Sequence, residues 1–504
     1  MFVANLPETV YSRRGVLKSP QKSGVCWKLP KTANAAPVKY LERDRRFRKP
    51  QVAVCLEAGQ RLSQQENPPK DTSSLYFDIA IVGAGPAGLA LAAELSELNL
   101  SSELSPVGKV VSIVVVEKDF SRRWLPNYGV WVDEVEHLDI KDCFAAVWPK
   151  VAVYLPHKII KKREYARIDR QKLKQKLTAK CLRNGSGIVL QEGEVKGSDL
   201  EKGILRLRCT SANGQFSELE IRARRIVDTT GHSTVLVKFT EPHHPSYQAA
   251  YGIEALVESH PFPLDEMILM DYREPSSIQR LPKGPDSSYY SVPTFLYAMP
   301  MASDRIFVEE TSLTARPAVP FEELRDRLYK RLKDLGITVN CALEEEFCLI
   351  PMGGSLPDLD QPLLGFGGTA GLVHPATGYM MARTLNLARP LARAIFLREA
   401  RNLETNPWKE VLWTRTNVIQ RDFYTFGGEV LLDMNLNEIQ EFFAAFFKLR
   451  EEAWKNFLSF RQLSGQERLA FGLGVFLKTT NKVRFKLIRK ALQNWRPLIR
   501  SILS

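Results

Sequence analysis

The sequence has few features of a disulfide-bonded or zinc-binding protein. Its seven cysteines are scattered, their number is odd, and no two of them form a C-x-x-C pair. Disulfide frameworks pair an even number of cysteines, and zinc sites place cysteines at short, regular spacings. Both classes are therefore disfavoured, and a reducing compartment is the simplest interpretation.

Long apolar runs are also absent. A transmembrane helix needs about 18 or more uninterrupted apolar residues. The longest apolar region, residues 79–95, is interrupted by Gly83, Gly85, Pro86 and Gly88. Residues 1–41 lack the apolar core of a secretory signal peptide. The sequence therefore predicts neither a membrane span nor secretion.

Acidic residues are scarce at both ends of the chain. Residues 1–41 contain seven Lys or Arg and one acid, Glu8. This composition resembles an organelle transit peptide, with a disordered basic arm as the alternative. Residues 478–504 contain eight basic residues, no acid, and apolar or aromatic residues between them. That pattern favours an anionic membrane surface, with a solvated basic helix as the alternative. No nucleic-acid-binding motif accompanies the charge.

The sequence does contain a dinucleotide-binding motif. An apolar run at residues 77–82 leads into G-A-G-P-A-G and then into a stretch of strong helix formers. Gly83 permits the tight turn, Gly85 leaves room for a pyrophosphate, and Gly88 lets the helix pack closely on the strand. The N-terminus of the helix then faces the phosphates.

A second predicted strand, residues 110–116, ends at Glu117, which is placed to bind ribose hydroxyls. An acid at this position favours FAD or NAD over NADP. The distance in sequence from Gly88 to Glu117 is longer than usual, so we interpret residues 101–109 as an insertion. An unrelated βαβ unit is the alternative.

Two later segments complete the predicted cofactor site. Residues 225–231 are typical of a strand that ends in a D-x-T-G turn, and residues 364–379 of a strand, a glycine turn and a helix start. In flavoproteins similar to the aromatic hydroxylases, an Asp stands where this chain has Thr369. The change is compatible with FAD binding but weakens a hydroxylase assignment. His374 either lines the cofactor or is structural. The predicted contacts in these segments are Asp228, Gly231, Gly367, Gly368, Thr369, His374 and Gly378.

Two adjacent glutamates, Glu309 and Glu310, lie among apolar and aromatic residues. Burial disfavours the charged carboxylate, and each negative charge raises the pKa of the other. A carboxyl group held in this way stays protonated at neutral pH, as acid chemistry on an apolar substrate requires. The alternative is a strand edge with the two side chains on opposite faces.

Seven blocks in order make the chain similar to the plant and cyanobacterial lycopene cyclases, over residues 76–470. The first block has lost one Asn of the usual W-P-N-N-Y-G-V-W, and Tyr272 and Val308 replace the Trp of M-D-W-R and the Leu of F-L-E-E-T. The blocks are residues 124–134, 247–253, 270–273, 295–300, 307–312, 350–354 and 374–379.

The resemblance implies a Rossmann-like FAD/NAD(P)-binding α/β fold of the aromatic-hydroxylase type, with an interleaved substrate-binding β-sheet domain and a helical C-terminal region. The expected division is 1–72 for a plastid transit peptide and disordered arm, 73–235 and 346–400 for the FAD-binding domain, 236–345 for the substrate-binding part, and 401–504 for a basic helical region that contacts the membrane.

The resemblance also implies a reaction. An acid protonates the terminal double bond of a ψ end group of lycopene, the neighbouring double bond attacks the tertiary cation, and loss of a proton closes the ring. Reduced FAD is required without net redox change, and NAD(P)H is the reductant. A plastid membrane surface and other carotenoid enzymes are the further partners that this chemistry suggests.

The resemblance assigns roles to particular residues. Glu309 is expected to donate the proton and Glu310 to tune it, with an exchange of these two roles as the alternative. Asp271 and Arg273 are expected to supply polar support. Aromatic faces stabilise a cation in a dry site, and ordinary core packing is the alternative for each. The aromatic candidates are Tyr128, Trp131, Tyr251, Tyr297 and Phe307.

The sequence is compatible with several activities. The F-V-E-E-T block and the glycine turn at residues 367–371 favour a β-cyclase, whereas the block at residues 374–379 also occurs in ε-cyclases. A capsanthin/capsorubin or neoxanthin synthase is a third possibility, and a flavin oxidoreductase of the same fold is a fourth. The missing Asp and the glutamate pair disfavour the oxidoreductase.

Overall fold

The computed structural model describes residues 74–101, 110–210, 214–276, 291–401 and 406–503, so the predicted transit peptide lies outside the described residues. The strands, in chain order, are β1 (Ser74–Val82), β2 (Ile113–Glu117), β3 (Gly129–Trp131), β4 (Phe144–Trp148), β5 (Lys150–Tyr154), β6 (Lys158–Lys161), β7 (Tyr165–Ile168), β8 (Ile188–Glu192), β9 (Glu194–Asp199), β10 (Ile204–Thr210), β11 (Phe216–Asp228), β12 (Ser246–Val257), β13 (Glu266–Asp271), β14 (Thr294–Ala302), β15 (Arg305–Ser312), β16 (Val339–Met352) and β17 (Leu364–Gly365). The helices are α1 (Pro86–Leu100), α2 (Val132–Val135), α3 (Arg170–Cys181), α4 (Phe321–Asp334), α5 (Met381–Arg401), α6 (Arg415–Leu432), α7 (Leu436–Phe446), α8 (Glu451–Leu458), α9 (Gly465–Lys478), α10 (Asn481–Gln493) and α11 (Trp495–Leu503).

The first sheet contains the predicted strand–turn–helix unit. Its order is β8-β2-β1-β11-β10-β9, and β17 also pairs with β11. The pairs β8–β2, β2–β1, β1–β11 and β11–β17 are parallel, whereas β9, β10 and β11 pair antiparallel. Because parallel strands end at one edge, the turns after β1, β2 and β11 lie side by side.

Both faces of β1 are buried, which explains its continuous apolar run. Ile79 and Ile81 pack with α1, α3 and α5, and Ala80 and Val82 pack with residues of β10 and β11 on the other face. Helix α1 itself is built mainly from Ala and Leu, and it packs closely against α3 and α5.

The second sheet has the order β16-β12-β15-β14-β13-β5-β6. Its pairs are antiparallel except for β5 with β13. Strands β5 and β6 therefore join this sheet although they lie within the range 73–235 expected for the cofactor domain. A small third sheet, β3-β7-β4, supports the segment around Trp131. The division of the chain into domains stays a prediction.

The two faces of the second sheet have different neighbours. Side chains alternate along a strand, so Ile306 and Val308 of β15 pack with α4 on one face. Phe307 points to the opposite face and belongs to the cluster formed with α6 to α9. This alternation decides where the two adjacent glutamates of β15 lie.

The C-terminal helices α6 to α11 form the predicted helical region, and the mixed α/β fold class is confirmed. Phe446, Phe457 and Phe471 pack against one another in its core. Within the described ranges, no helix is both long and apolar enough to cross a membrane.

Candidate functional site

A cavity of about 880 Å³ connects the glycine turn of the first sheet to the C-terminal helices. One end is lined by Gly83, Gly85 and Glu117, and the opposite end by Phe442 and Phe457. The cavity-facing side of the second sheet forms the wall between them. The space therefore combines a predicted phosphate-binding turn with an apolar, aromatic chamber.

The three glycines of the turn have distinct geometries. Gly83 has φ +105°, and a Cβ there would lie 2.9 Å from the carbonyl oxygen of Thr229. A Cβ on Gly88 would lie 2.0 Å from the carbonyl oxygen of Gly83. A Cβ on Gly85 would meet no atom within 4 Å, so the space beside the N-terminus of α1 is open. That open space is what a pyrophosphate on the helix N-terminus requires, so the turn fits a dinucleotide.

Glu117 lies at the end of β2 beside this turn. Its carboxylate accepts hydrogen bonds from the backbone N–H groups of Ala84 (2.7 Å) and Lys118 (2.9 Å), and it lines the cavity. The position at the carboxyl end of a parallel strand is the one from which an acid reaches a ribose.

Asp228 occupies a different place from the predicted cofactor contact. Its buried carboxylate accepts hydrogen bonds from the Thr230 N–H (2.9 Å), the Thr230 hydroxyl (2.7 Å) and the Leu236 N–H (2.8 Å). These hydrogen bonds stabilise the D-x-T-G turn on the side away from the cavity. Gly231 of the same turn lines the cavity.

The residues of the later glycine turn also fall into two groups, those that line the cavity and those that support the turn. Gly368 and Gly378 line the cavity. Gly367 has φ +72° and packs so closely that a Cβ would lie 2.7 Å from that of Ala87. The buried hydroxyl of Thr369 donates to the carbonyl oxygen of Asp228 (3.0 Å), so Thr369 joins two turns instead of facing a cofactor.

His374 lies outside the cavity, which corrects its expected place at the cofactor. Its Nδ1 accepts from the Ala376 N–H (3.1 Å), and its Nε2 donates to the Phe457 carbonyl oxygen (3.0 Å). Burial lowers the pKa of His374 to about 3, so the ring is neutral. It fastens the loop after the glycine turn to α8.

The structure separates the two adjacent glutamates. Glu309 shares the face of Phe307 and lines the cavity. Glu310 points to the opposite face, where its buried carboxylate accepts from Arg331 Nε (2.7 Å) and Nη2 (2.9 Å) and from the Thr294 hydroxyl (2.5 Å). The expectation that Glu310 tunes Glu309 is therefore corrected, because the β-strand alternation turns the two carboxyl groups away from each other.

Asp271 and Arg273 belong to the network around Glu310. Arg273 Nε donates to Asp271 (2.9 Å), and the Arg273 carbonyl oxygen accepts from Arg331. Asp271 is buried, its charge acts on Arg331 of α4, and it does not line the cavity. These residues support the sheet on the face opposite Glu309, which corrects the expectation of polar support at the site.

The partner of Glu309 is Glu346, which sequence reasoning missed. In the sheet, Gly252 of β12 stands opposite Glu309 on one side and Glu346 of β16 on the other. A Cβ on Gly252 would lie 3.3 Å from Glu309 Cβ and 3.3 Å from Glu346 Cγ. The missing side chain lets the two carboxyl groups form a hydrogen bond across β12. A glycine inside a strand is a signal for such a close approach, but the pairing of strands is needed to interpret it.

The pair of carboxyl groups is asymmetric. Desolvation raises the pKa of Glu309 well above its usual value, and the charge and hydrogen bond of Glu346 raise it further. Burial also raises the pKa of Glu346, but the hydrogen bond from Glu309, the Asn127 N–H (2.8 Å) and the charges of Arg170 and Arg167 favour its carboxylate. Of the two carboxyl groups, Glu309 therefore holds a proton more strongly, and Glu346 is the more readily ionised.

Aromatic side chains surround this pair on the cavity side. Tyr128, Trp131 and Tyr297 line the cavity, whereas Tyr251 and Phe307 are core residues of the sheet. The Tyr297 hydroxyl lies 3.3 Å from that of Tyr165, which also lines the cavity. The chamber therefore offers one carboxyl group with a raised pKa and several π faces.

A further carboxyl group, Glu134, lies behind this wall. Arg163 Nη2 donates to it (3.1 Å), and Ser459 and Tyr379 hydrogen-bond to it. Burial raises the pKa of Glu134 to about 7, although Ser459 and Arg163 oppose the shift. Tyr379, not Glu134, faces the cavity.

Comparisons with known proteins agree on one family. The model of the family described as "Lycopene cyclase protein" matches residues 78–485. The lycopene beta cyclase of Solanum lycopersicum is 41% identical over 431 residues, which is 83% of this chain and 81% of the relative. That of Arabidopsis thaliana is 41% identical over 438 residues, 84% of this chain and 83% of the relative. The neoxanthin synthase of Solanum lycopersicum is 36% identical over 444 residues, 86% and 83% of the two chains.

Solved structures support the fold. A geranylgeranyl bacteriochlorophyll reductase-like protein from Thermoplasma acidophilum has a TM-score of 0.60 at 13% identity, covering 83% of this chain and all of its own. A flavoprotein/dehydrogenase from Cytophaga hutchinsonii has a TM-score of 0.51 at 13% identity, covering 76% and 92%. At this identity the similarity shows a flavoprotein type of fold and no activity.

Proposed function

The chain belongs to the lycopene cyclase family, and we propose that it converts the ψ end groups of lycopene to β rings, giving γ- and β-carotene. The observation that carries the proposal is the Glu309 carboxyl group on an apolar, aromatic cavity, where burial and the neighbouring Glu346 raise its pKa well above the usual value. The relatives named lycopene beta cyclase support the ring type.

The residues of the chamber supply what the reaction needs. The Glu309 hydroxyl gives its proton to the terminal double bond of the substrate, and the neighbouring double bond attacks the resulting tertiary cation. The faces of Tyr128, Trp131 and Tyr297 stabilise positive charge, which contributes about 2 kcal/mol for a desolvated cation–π contact. The carboxylate of Glu346 adds negative potential in the same place. Loss of a ring proton then completes the β ring.

We propose FAD as the cofactor of this site. Gly85 and the N-terminus of α1 would hold its pyrophosphate and Glu117 its ribose, with Gly231, Gly368 and Gly378 bordering the same space. In its reduced form FAD would supply an electron-rich ring system that stabilises the cation without net redox change. NAD(P)H is proposed as the reductant, as the family resemblance implies, and the cyclisation itself consumes no electrons.

A membrane surface is proposed as the source of the substrate, because lycopene is a hydrocarbon. Helices α9, α10 and α11 each expose an apolar stripe with spacings of three or four residues, as a helix lying on a bilayer does. The stripes are Leu469, Leu473 and Leu477; Phe485, Ile488 and Leu492; and Trp495, Ile499 and Leu503.

The charges of this region contribute less than the sequence suggests. Lys486 pairs with Glu438 (2.6 Å), Arg489 with Asp433 (2.6 Å), and Arg500 with Asp422. Ion pairs of this kind leave less positive charge for anionic lipids. The proposed contact therefore depends mainly on the apolar stripes.

A plastid location is proposed from the relatives, whose names describe them as chloroplastic. Association with other carotenoid enzymes stays a prediction.

Expression in bacteria that accumulate lycopene, followed by chromatography of the pigments, tests the proposed function. We expect β-carotene, with γ-carotene as the half-cyclised product. The matched control is the Glu309→Gln variant in the same cells, which should leave lycopene. Accumulation of ε rings would reassign the ring type, and unchanged lycopene with the folded, flavin-loaded parent protein would contradict the proposal.

A further inference from the structure

We infer that Glu346 is the base that removes the ring proton, so that the Glu309–Glu346 pair both donates and recovers the proton of the reaction. The inference rests on the proposed cyclisation and goes beyond it, because it assigns the second proton transfer to a residue and makes the pair self-restoring.

The geometry places the acceptor beside the donor. Both carboxyl groups line the same cavity and share a hydrogen bond across Gly252. Once Glu309 has protonated the substrate, two carboxylates face each other in a desolvated site. Like charges at such short range strongly favour the return of one proton. The ring cation is then the acid nearest to the pair.

Glu346 is the carboxyl group of the pair whose charged form the surroundings favour more, so it is the one more readily free to accept a proton. The Asn127 N–H donates to Glu346 Oε2 (2.8 Å), and Arg167 and Arg170 favour its charged form, so these groups oppose the rise in pKa that burial causes at Glu346. The other buried carboxyl group of this region, Glu134, is held by Arg163 and Ser459 behind Tyr379. Unlike Glu346, it does not line the cavity.

The step balances without an added reagent. The C–H bond of the ring carbon next to the cation breaks, and its electron pair becomes the ring double bond. An O–H bond forms on Glu346. The proton then passes along the carboxyl–carboxyl hydrogen bond to Glu309, so one O–H bond breaks as another forms. The position of the base also fixes which ring carbon loses its proton, and therefore the ring type.

The test compares Glu346→Gln with Glu345→Gln as its matched control. Glu345 is the neighbour on the same strand, is exposed, and accepts from the Tyr251 hydroxyl (2.6 Å) away from the cavity. Flavin-loaded protein with reduced FAD and lycopene in liposomes gives three readouts, which are the rate, the ring types formed and the pH profile of the rate.

For Glu346→Gln we expect a rate about 10²- to 10⁴-fold lower, as for the loss of an acid–base catalyst. The remaining product should contain rings with a misplaced double bond or a hydroxyl group, because another base or water quenches the cation. A pair that must hold one proton gives a bell-shaped profile. The low-pH limb reports protonation of Glu346 and should disappear in the variant. Glu345→Gln should keep the parent rate, ring type and profile.

Gly252→Ala is a second variant that keeps both carboxyl groups. Its added methyl group would contact both Glu309 and Glu346 and hold the two carboxyl groups further apart. The rate should therefore fall, and the two limbs of the pH profile should lie closer together than in the parent protein. A Glu346→Gln protein that forms only β rings with an unchanged profile would overturn the inference, whatever its rate. In that case an inactive Glu309→Gln protein would leave the proposed function intact, whereas an active one would overturn the proposed function itself.

Discussion

Replacement of Glu310 by Gln should damage stability, whereas the same change at its neighbour Glu309 should not. The Glu310 carboxylate is fully buried and accepts two hydrogen bonds from Arg331 and one from Thr294. Removing one partner of a buried ion pair costs about 3–5 kcal/mol because the other charge is left uncompensated. The amide of Gln can still accept from Thr294, so we expect about 3 kcal/mol.

At Glu309 the same substitution should change the free energy of unfolding in the opposite direction. The folded protein holds the Glu309 proton, whereas the unfolded chain releases it above the ordinary carboxyl pKa of about 4.3. Stability contributed by this group is therefore present at low pH and is lost as the pH rises toward the raised pKa. At pH 7 Glu309→Gln removes that cost, and we expect a protein at least as stable as the parent.

Thermal unfolding followed by circular dichroism, at one fixed FAD concentration, measures both effects. A loss of about 3 kcal/mol should lower the midpoint of Glu310→Gln by about 3 °C in a chain of this length. If Glu310→Gln is as stable as the parent but inactive, Glu310 belongs to the chemistry and the assignment of the two faces is refuted.

Three further outcomes follow from the site and the surface. Gly85→Val should fold, because the position has ordinary backbone angles (φ −70°, ψ −177°), but it should lose FAD, because the side chain would fill the open space where the pyrophosphate would lie. Stoichiometric flavin absorbance in the variant would contradict this. Phe485→Ser combined with Leu492→Ser should weaken liposome binding with little dependence on salt, since both side chains are exposed on the apolar stripe of α10; sedimentation with unchanged vesicle binding would move the contact elsewhere. The cyclisation rate should fall as the pH rises through the raised pKa of Glu309, because the donor proton is lost; a rate that climbs steadily with pH would count against Glu309 as the acid.

The parts of the site that follow from local sequence could be predicted. The glycine turn, Glu117 and Gly231 depend on residues close in sequence to a recognisable strand. The structure places Gly83, Gly85, Glu117 and Gly231 on the cavity. The sequence also offered, as an alternative, a strand whose two adjacent glutamates point to opposite faces. That alternation along β15 explains why Glu309 and Glu310 lie on opposite sides of the sheet.

The parts that depend on non-local pairing could not be predicted. Glu346 meets Glu309 only because β12 lies between their strands and carries Gly252 at that register. His374 and Asp228 have the residue types of a cofactor site, but their hydrogen bonds go to neighbouring backbone. Basic side chains of the C-terminal segment form ion pairs with acids of α6 and α7 that are distant in sequence, so less of their positive charge is available to a membrane.

The most direct test of the account is the cyclisation rate of purified, flavin-loaded Glu309→Gln, measured with reduced FAD and lycopene in liposomes beside the parent protein and Glu345→Gln. The account predicts that Glu309→Gln keeps its fold and its FAD and loses at least 10²-fold in rate, since the change removes the donor proton and little else. Glu345→Gln should match the parent. Cyclisation by folded Glu309→Gln at the parent rate would show that the acid lies elsewhere and would contradict the central claim.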